Sequence, residues 1–508
     1  MSEAGGVKAW SRRELLIASG GALVLAACSG SSKGSSGGNA VGPTDPAVER
    51  RDALRRPASA STVNATITAA PVTAVIGGRD VQTWAFGDRP GSGGIRAQVG
   101  DLIEATFVNA LPSANTLHWH GIALRNDMDG VHDLTQPAVE TGGEFTYRFT
   151  VPDAGTYWFH PHVGLELDKG LYAPLIVEDP SDPVAFDVDV TLMLDDWLDG
   201  HGRTQEQVLA DLQAEGGHSM DMTETSAGET GTTESSGGER SMTGGLTGDV
   251  SYPLHVINGR GPSERETVDA KAGQRVRIRL INAGSDTAYR LAIGEHRLTV
   301  THADGFPVVP VEVDNVVLGM GERYDVIVRA GSGTFPIVAV PEGKNAPAAE
   351  AVLRTDRAVS VPAVGSRPSE LSRRAITYAD LVATDASRLP SRQPDRTETI
   401  TLTESENGYV HGINGVSYPD SAPIAVAEDG RLRLKVVNDT MMFHPIHLHG
   451  HTFQIVGDGS ARKDTVNVLP MSSALFDIAA DNPGQWMLHC HNTYHFETGM
   501  ATVLSYRA

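Results

Sequence analysis

Cysteine is scarce in this sequence, and its scarcity excludes one class of protein. The 508 residues include two cysteines, Cys28 and Cys490, which lie more than 460 positions apart. A small secreted domain stapled by disulfides carries a larger, even set of cysteines at short spacings. That class is excluded, and each cysteine needs its own explanation.

Basic residues are also in deficit. The chain has 41 Lys and Arg against 63 Asp and Glu, which gives a formal net charge of −22. Such a chain repels the phosphate backbone of a nucleic acid, so we expect no nucleic-acid partner and favour a metal ion or a cationic small molecule. With 40% hydrophobic residues, 55 glycines and 28 prolines, the composition is globular and rich in turns. It excludes a coiled coil, collagen and a wholly disordered chain.

The apolar run near the N-terminus, residues 15–27, is too short to cross a bilayer, which requires about 20 residues. The run follows Arg12 and Arg13. A basic start, a short apolar run and small residues before a cleavage site predict a secretory signal over residues 1–28. The paired arginines resemble a twin-arginine signal, which the twin-arginine export machinery reads.

Cys28 ends this signal in a way that indicates lipidation. The run closes with Leu25-Ala26-Ala27-Cys28, which resembles a bacterial lipobox. We expect an exported protein on the periplasmic side of the cell envelope, attached to the membrane through lipid on Cys28, with a Gly/Ser-rich tether over residues 29–60. The alternative is an ordinary signal or a short anchor with an incidental cysteine.

Two sequence patterns each occur three times. The first, a glycine followed by an alternating strand and a closing asparagine, spans residues 100–109, 273–282 and 430–438. The second begins with glycine at 155, 333 and 484, and two matched positions in each copy hold His160/His162, Val338/Val340 and His489/His491. Alternation of period two marks half-buried strands. The sequence therefore predicts an all-β fold in which one Greek-key β-sandwich is used three times.

The repeats also set the domain boundaries. We predict a first domain over residues 61–180, a second over 185–365 and a third over 395–508. A Gly/Ser/Thr/Glu-rich stretch at about 214–248 lacks apolar periodicity and is typical of a flexible insertion in the second domain. The middle copy has no histidines at the matched positions, so we interpret it as a spacer.

Ten of the 18 histidines fall in four short clusters. They are His118 and His120; His160 and His162; His444, His447 and His449; and His489, His491 and His495. Strand geometry points residues i and i+2 to the same face, so each such pair aims two imidazoles at one place. Eight imidazoles from four strands are costly to bury without a shared cation, and imidazole suits copper, zinc, iron or nickel. The alternatives are a zinc site and unrelated surface histidines.

Cys490 favours copper. It has the opposite parity to its two histidine neighbours, so its thiolate points into its own domain, and His444 has the same odd parity. His495 and Met500 follow within ten positions. Two histidines, one thiolate and a weak axial thioether make a blue-copper electron-transfer site. The other histidines, from the first and third domains, can meet only between those domains.

The four clusters, in this order and spacing, resemble those of the multicopper oxidases, specifically three-domain, laccase-like bacterial enzymes. The likeness is greatest to the twin-arginine-exported mycobacterial type linked to copper tolerance. The resemblance implies three cupredoxin domains and four copper ions. It assigns the type 1 copper to His444, Cys490, His495 and Met500, and the type 2 copper to His118 and His447. It assigns one type 3 copper to His120, His160 and His491 and the other to His162, His449 and His489.

The implied reaction takes electrons singly from a substrate at type 1 copper and reduces dioxygen to water at the other three coppers. Because that reduction consumes protons, an acid is expected near the cluster. Asp129 stands where the family places an acid beside the type 2 copper, and we favour this role over the alternative of a turn residue before Gly130. Many relatives carry a glutamate directly after the last type 1 histidine. Here that position is Phe496, and Glu497, one residue later, is the candidate substitute.

Two substrate classes remain open: phenols and aromatic amines, or Cu(I). The insertion contains His218, Met220, Met222 and Met242, and soft thioethers favour Cu(I), but a solvated linker explains the same residues. A copper carrier without turnover is the non-enzyme alternative, although a carrier has no use for eight further histidines. A nitrite reductase is another alternative with the same fold, but it lacks this cluster.

Overall fold

The computed structural model describes residues 39–216, 243–457 and 459–507. The predicted signal with Cys28, the start of the tether, and His218, Met220, Met222 and Met242 of the insertion lie outside the described residues. In the described part of the chain, no helix is both long and apolar enough to cross a membrane.

The first eight strands form two four-stranded sheets. They are β1 (Thr62–Ile76), β2 (Arg79–Ala85), β3 (Ile95–Gln98), β4 (Leu102–Asn109), β5 (His118–His120), β6 (Glu144–Thr150), β7 (Gly155–His160) and β8 (Ala173–Glu178). The sheet orders are β2-β1-β4-β6 and β3-β8-β7-β5. Trp119 of one sheet packs on Tyr147 and Phe149 of the other, with ring centroids 5.6 and 4.9 Å apart, so the sheets form a sandwich.

The next eleven strands form a second pair of sheets. They are β9 (Val188–Trp197), β10 (Leu254–Ile257), β11 (Glu266–Asp269), β12 (Arg275–Asn282), β13 (Tyr289–Ile293), β14 (Leu298–Ala303), β15 (Phe306–Val313), β16 (Asn315–Leu318), β17 (Arg323–Arg329), β18 (Thr334–Pro341) and β19 (Ala349–Arg354). The orders are β10-β9-β12-β17-β14-β15 and β11-β19-β18-β13-β16. One apolar core joins them, as the alternating pattern requires.

The last eleven strands form a third pair. They are β20 (Arg396–Glu404), β21 (His411–Ile413), β22 (Ile424–Val426), β23 (Gly430–Asn438), β24 (His444–Leu448), β25 (Phe453–Ile455), β26 (Arg462–Lys463), β27 (Thr465–Val468), β28 (Ser472–Ala480), β29 (Gln485–Cys490) and β30 (Ala501–Tyr506). The orders are β21-β20-β23-β28-β25-β26 and β22-β30-β29-β24-β27. The all-β prediction is confirmed.

The asparagine that closes each repeat has a common structural role. Asn109, Asn282 and Asn438 are all 0% exposed. In each, the side-chain oxygen accepts a hydrogen bond from the backbone N–H two residues later, and the side-chain NH₂ donates to backbone carbonyls of neighbouring loops. The carboxamide thus satisfies backbone groups that a buried strand end would leave unpaired.

Among the described residues, three α-helices accompany the strands: α1 (Pro46–Arg55), α2 (Gln205–Glu215) and α3 (Thr493–Glu497). Short 3-10 helices span Asn126–Met128, Leu167–Lys169, Ser369–Ser372 and Tyr378–Asp380. Thr204 and Gln207 form a capping box at the start of α2, and Asn492 caps α3 by accepting from the N–H of Tyr494 and His495.

Residues 39–55, which we call the N-terminal strap, differ from the expected tether. Asp45 caps α1 and Val48 of the helix is buried. Arg55 donates to the carbonyl of Ala123 at 2.6 Å and to the side chain of Asn482 at 3.1 Å. The strap therefore binds to both the first and the third pair of sheets, and the prediction of a Gly/Ser tether over 29–60 is wrong for these residues.

Candidate metal centres

Eight histidines meet between the first and third pairs of sheets. Adjacent antiparallel strands present them within each pair: His118 lies opposite His160, and His447 lies opposite His489. Rings also stack across the gap, with centroids 3.7 Å apart for His118–His449 and for His120–His447. We call this set the histidine cluster. Its members, each at most 4% exposed, are His118, His120, His160, His162, His447, His449, His489 and His491.

The histidine cluster divides into groups whose ring nitrogens lie within 4.8 Å of one another. These groups are His120, His160 and His491; His162, His449 and His489; and His118, His120 and His447. The first two coincide with the trios that the sequence resemblance implies, and the third contains the implied type 2 pair.

The free nitrogens of the cluster suit a metal ion. His118, His160, His447 and His489 each donate Nδ1–H to a backbone carbonyl at 2.8–3.0 Å, which fixes the tautomer and leaves Nε2 with its lone pair. The Nε2 atoms of the first three, Nδ1 of His120 and both ring nitrogens of His162 and His491 are buried without a hydrogen-bond partner. Buried polar atoms without partners are costly, and a set of copper ions would satisfy them.

Burial also keeps these imidazoles in the neutral form that binds metal. Burial, reinforced by neighbouring histidines, lowers the pKa of His160, His162, His449 and His491 well below the ordinary value. A neutral imidazole retains the lone pair that a metal ligand needs.

A separate group of three ligand atoms lies within the third pair of sheets. Cys490 Sγ is 3.6 Å from Nδ1 of both His444 and His495, and those two nitrogens are 3.1 Å apart. All three residues are buried. Met500 is 0% exposed in the same apolar core as Cys490, whose backbone N–H donates to the Met500 carbonyl at 3.0 Å. Two imidazoles and a thiolate form the donor set of a blue-copper site.

Two buried carboxylates contact the histidine cluster. Asp129, which the sequence predicts, accepts a hydrogen bond from His449 Nδ1 at 3.0 Å and has an oxygen 3.2 Å from His118 Nδ1. Asp464, which the sequence reasoning missed, accepts from His120 Nε2 at 3.1 Å. Its only local signal is a charged Lys463-Asp464 pair entering an apolar strand, and both side chains are 0% exposed.

Glu497 is not brought to the cluster. Its side chain is exposed at the end of α3 and makes no hydrogen bond within the described part of the chain. Phe496, in contrast, packs its ring 4.7 Å from that of His162 and 4.9 Å from that of His489. An apolar ring therefore lies beside the cluster at the position directly after His495.

Comparisons with known proteins agree with this geometry. Three sequence models, all described as multicopper oxidase, match residues 69–182, 189–358 and 389–508. The chain is similar to multicopper oxidase MmcO of Mycobacterium tuberculosis, with 45% identity covering 98% of this chain and 97% of that protein. It is also similar to copper resistance protein A of Escherichia coli, with 28% identity covering 80% and 86% of the two chains.

A solved structure shows the same fold. The multicopper oxidase of Pseudomonas thermotolerans is 26% identical, covers 88% of this chain and 100% of its own, and superposes with a TM-score of 0.66. Members of the family use four copper ions of types 1, 2 and 3, and the buried histidine and cysteine groups supply donors for such ions. The chain belongs to the multicopper oxidase family and is an oxidoreductase that uses dioxygen as acceptor.

Proposed function

We propose that the copper ions are divided among the observed groups as follows. His444, Cys490, His495 and Met500 would hold the type 1 copper, and His118 and His447 would hold the type 2 copper. One type 3 copper would be held by His120, His160 and His491, and the other by His162, His449 and His489. The separations of the ligand atoms support this division. Further support comes from the buried ring nitrogens without hydrogen-bond partners in His118, His120, His160, His162, His447 and His491. When bound, the coppers accept electrons singly from a reductant and deliver them to dioxygen, which becomes water.

The protein's own part begins with the strand that links the two centres. Cys490 faces one centre while its neighbours His489 and His491 face the other, because successive residues of β29 point to opposite faces. His489 Nδ1 donates to the Cys490 carbonyl at 2.8 Å. One short stretch of backbone therefore joins the site of electron entry to the site of dioxygen reduction.

We assign Asp129 to proton supply. Its carboxylate is 0% exposed and contacts two cluster histidines, so it can orient their rings and exchange protons beside the reacting oxygen. Glu497 was the second candidate, but its exposed position offers no support for a role at the cluster. A small hollow lined by His162, His489 and Phe496 lies beside the cluster and offers dioxygen a place to enter.

The surface over the type 1 group favours Cu(I) as reductant. Met441 and Met471 are 59% and 65% exposed, and the Met471 N–H donates to the carbonyl of Thr440, next to Met441. A hollow at the type 1 group is lined by Asp249, Glu404 and His495, and by Met442, the neighbour of Met441. Thioethers and carboxylates together attract a soft cation. The similarity to copper resistance protein A agrees with this choice.

Phenols are the second candidate, and one contact favours them. Asp249 Oδ2 accepts from His495 Nε2 at 2.7 Å and from the hydroxyl of Tyr409 at 2.7 Å. A carboxylate beside the type 1 histidine can also accept the proton that a phenol loses when it is oxidised.

We also propose the cellular setting. The Arg12-Arg13 pair and the sequence ending at Cys28 support twin-arginine export and a lipid anchor on the periplasmic side of the envelope. The three pairs of sheets and the three family matches support cupredoxin domains at about 61–180, 185–365 and 395–508.

The deciding experiment measures dioxygen uptake by the copper-loaded mature protein with Cu(I) and with a simple phenol at matched concentrations. We expect faster dioxygen uptake with Cu(I) than with the phenol. In the Met441→Leu/Met471→Leu variant, the rate with Cu(I) should fall several-fold and the rate with the phenol should not change. Leu246→Ala is the matched control, because Leu246 is 52% exposed on the same rim but has no sulfur. Deletion of residues 217–242 tests the methionines of the insertion separately.

Faster uptake with the phenol, unchanged by the methionine substitutions, would make the protein a laccase. A blue protein that consumes no dioxygen with either reductant would overturn the proposed catalytic role of these groups.

A further inference from the structure

Arg323 connects the middle pair of sheets to the histidine cluster. It begins β17, in the part of the chain that lacks cluster histidines, and is 0% exposed. Its guanidinium donates to both carboxylate oxygens of Asp464 at 2.6 Å and to the carbonyl of Thr156 at 3.1 Å. A bidentate arginine–carboxylate pair fixes geometry as well as charge. Arg323 therefore contacts all three parts of the fold at one point.

Asp464 transmits that connection to two cluster histidines. Its carboxylate accepts from His120 Nε2 at 3.1 Å, and its backbone carbonyl accepts from His447 Nδ1 at 3.0 Å. The hydroxyl of Thr465 lies 2.9 Å from the Asp464 carboxylate and 3.2 Å from His120 Nε2. Both rings are thus held from the side away from the cluster.

The contact also selects which nitrogen His120 presents. An ionised carboxylate only accepts hydrogen bonds, so Nε2 of His120 carries the proton and Nδ1 is left with its lone pair. The histidines held by backbone carbonyls, such as His118 and His160, show the reverse and leave Nε2 free. His120 shares one group with His118 and another with His160, so its orientation affects both.

Buried charged side chains surround this carboxylate and hold it in place. Lys463 Nζ lies 3.0 Å from Asp304 and 3.1 Å from Glu322, and Asp304 accepts from the backbone N–H of Arg323 at 2.9 Å. All of these side chains are 0% exposed. Breaking a buried pair by removing one partner leaves an uncompensated charge, so the carboxylate depends on Arg323.

The backbone just before Arg323 also packs closely against two rings of the histidine cluster. A Cβ placed on Gly321, whose φ is +84°, would meet His491 Cδ2 at 2.9 Å and His120 Cε1 at 3.0 Å. The backbone of the middle sheets therefore forms part of the wall behind these two rings, which a mere spacer would not do.

We propose that Arg323 and Asp464 are positioning residues of the three-copper centre. Arg323 holds Asp464, and Asp464 makes His120 present Nδ1 and fixes the ring of His447. This inference rests on the proposed assignment of His120 to a type 3 copper and His447 to the type 2 copper.

The test compares copper content, the type 2 electron paramagnetic resonance signal and dioxygen uptake in Asp464→Asn and Arg323→Lys, with the type 1 blue band as internal reference. Residues that hydrogen-bond a metal-bound histidine typically contribute about 10- to 100-fold to metal affinity or activity. We expect Asp464→Asn to keep the blue band, to lose or shift the type 2 signal and to reduce dioxygen about 10- to 100-fold more slowly. Arg323→Lys keeps the positive charge but cannot form the bidentate pair with Asp464. Its type 2 signal and its rate of dioxygen reduction should lie between those of Asp464→Asn and the wild type.

Arg290→Gln is the matched control. Arg290 forms a buried bidentate pair with Glu342 in the same middle sheets, at 2.7 and 2.9 Å, so its replacement should lower the unfolding temperature without changing the copper spectra. If Asp464→Asn does not fold, Thr465→Val removes one hydroxyl from the same contact and should shift the type 2 signal in the same direction.

Wild-type type 2 signal and turnover in a folded Asp464→Asn or Thr465→Val protein would overturn the inference. So would an identical spectral change in Arg290→Gln, since general destabilisation would then be the cause. Failure of the proposed function gives a different result, because the wild-type protein itself would then lack the blue band or dioxygen uptake.

Discussion

Replacing Asp129 by asparagine should slow dioxygen reduction without affecting electron entry. The carboxylate is 0% exposed, with one oxygen 3.0 Å from His449 Nδ1 and the other 3.2 Å from His118 Nδ1. Asparagine keeps the shape but replaces one oxygen by an NH₂ group, which donates where an imidazole N–H already donates. It also removes an acid from the cluster.

The expected slowing of dioxygen reduction can be worked out from the hydrogen bond that the substitution removes. A hydrogen bond to a charged group contributes about 1.5–3 kcal/mol. At about 1.4 kcal/mol for each factor of ten, loss of one such bond corresponds to about a 10- to 100-fold slower reaction. The same range is typical for partners of metal-bound histidine.

Two rates separate the steps. Anaerobic bleaching of the blue band by excess reductant measures electron entry, and dioxygen uptake at saturating reductant measures the whole cycle. Asp129→Asn should bleach at the wild-type rate and take up dioxygen about 10- to 100-fold more slowly. Asp127→Asn is the matched control, since Asp127 pairs with Arg125 at 2.6 and 2.9 Å and is not in the cluster. Wild-type uptake in Asp129→Asn, or equal slowing of both rates, would refute the reasoning.

Three further predictions follow from other residues. Cys490→Ser should abolish the blue band and dioxygen uptake while the cluster histidines remain; unchanged turnover, measured by oxygen electrode, would exclude the proposed electron route. Burial raises the pKa of Glu166 from 4.5 to about 7, so the folded state holds its proton more tightly than the unfolded state. That contribution is fully present below pH 4.5 and is lost as the pH rises through 7, a change of about 3 kcal/mol. Glu166→Gln should therefore unfold at a higher temperature than the wild type at pH 8 but not at pH 4, and a gain at both would contradict the cause. Glu497→Gln should leave dioxygen uptake within about twofold, because a surface substitution away from the site changes little; a tenfold loss would restore Glu497 as a proton donor.

The histidine cluster could be predicted from the sequence because the relevant geometry is local. Residues i and i+2 of a strand point to the same face. The pairs His118/His120 and His489/His491 therefore each predict two imidazoles at one site, wherever the strands pack. The same local alternation predicts that Cys490 points to the face opposite its neighbours His489 and His491. Strand alternation likewise predicted the all-β fold.

Asp464 and Arg323 could not be found in this way. They lie 141 positions apart and meet only when the second and third pairs of sheets dock, and neither belongs to a periodic pattern that marks it as functional. The interpretation of the middle copy as a spacer used the absence of histidines there. It overlooked that a residue can shape a metal centre without touching the metal.

The prediction of a tether was wrong for the N-terminal strap for a similar reason. Its composition resembles that of a linker, but Arg55 and Val48 gain their packing from residues far along the chain. The N-cap and the initial proline of α1 are local signals of a helix. Its packing against the first and third pairs of sheets has no such local signal.

The strap has a consequence for the order in which the molecule is made. It is synthesised before the three pairs of sheets, yet Arg55 contacts residues 426 and 427 positions later. Domains generally fold as units from the N-terminus during synthesis, so the first sandwich can form while the strap still has nothing to close on. The two halves of the histidine cluster are also made far apart in time, since His120 precedes Asp464, which holds its ring, by 344 positions. The chain therefore completes its cluster and fastens its strap only after the last strands are made, and metal loading is an event of the finished protein.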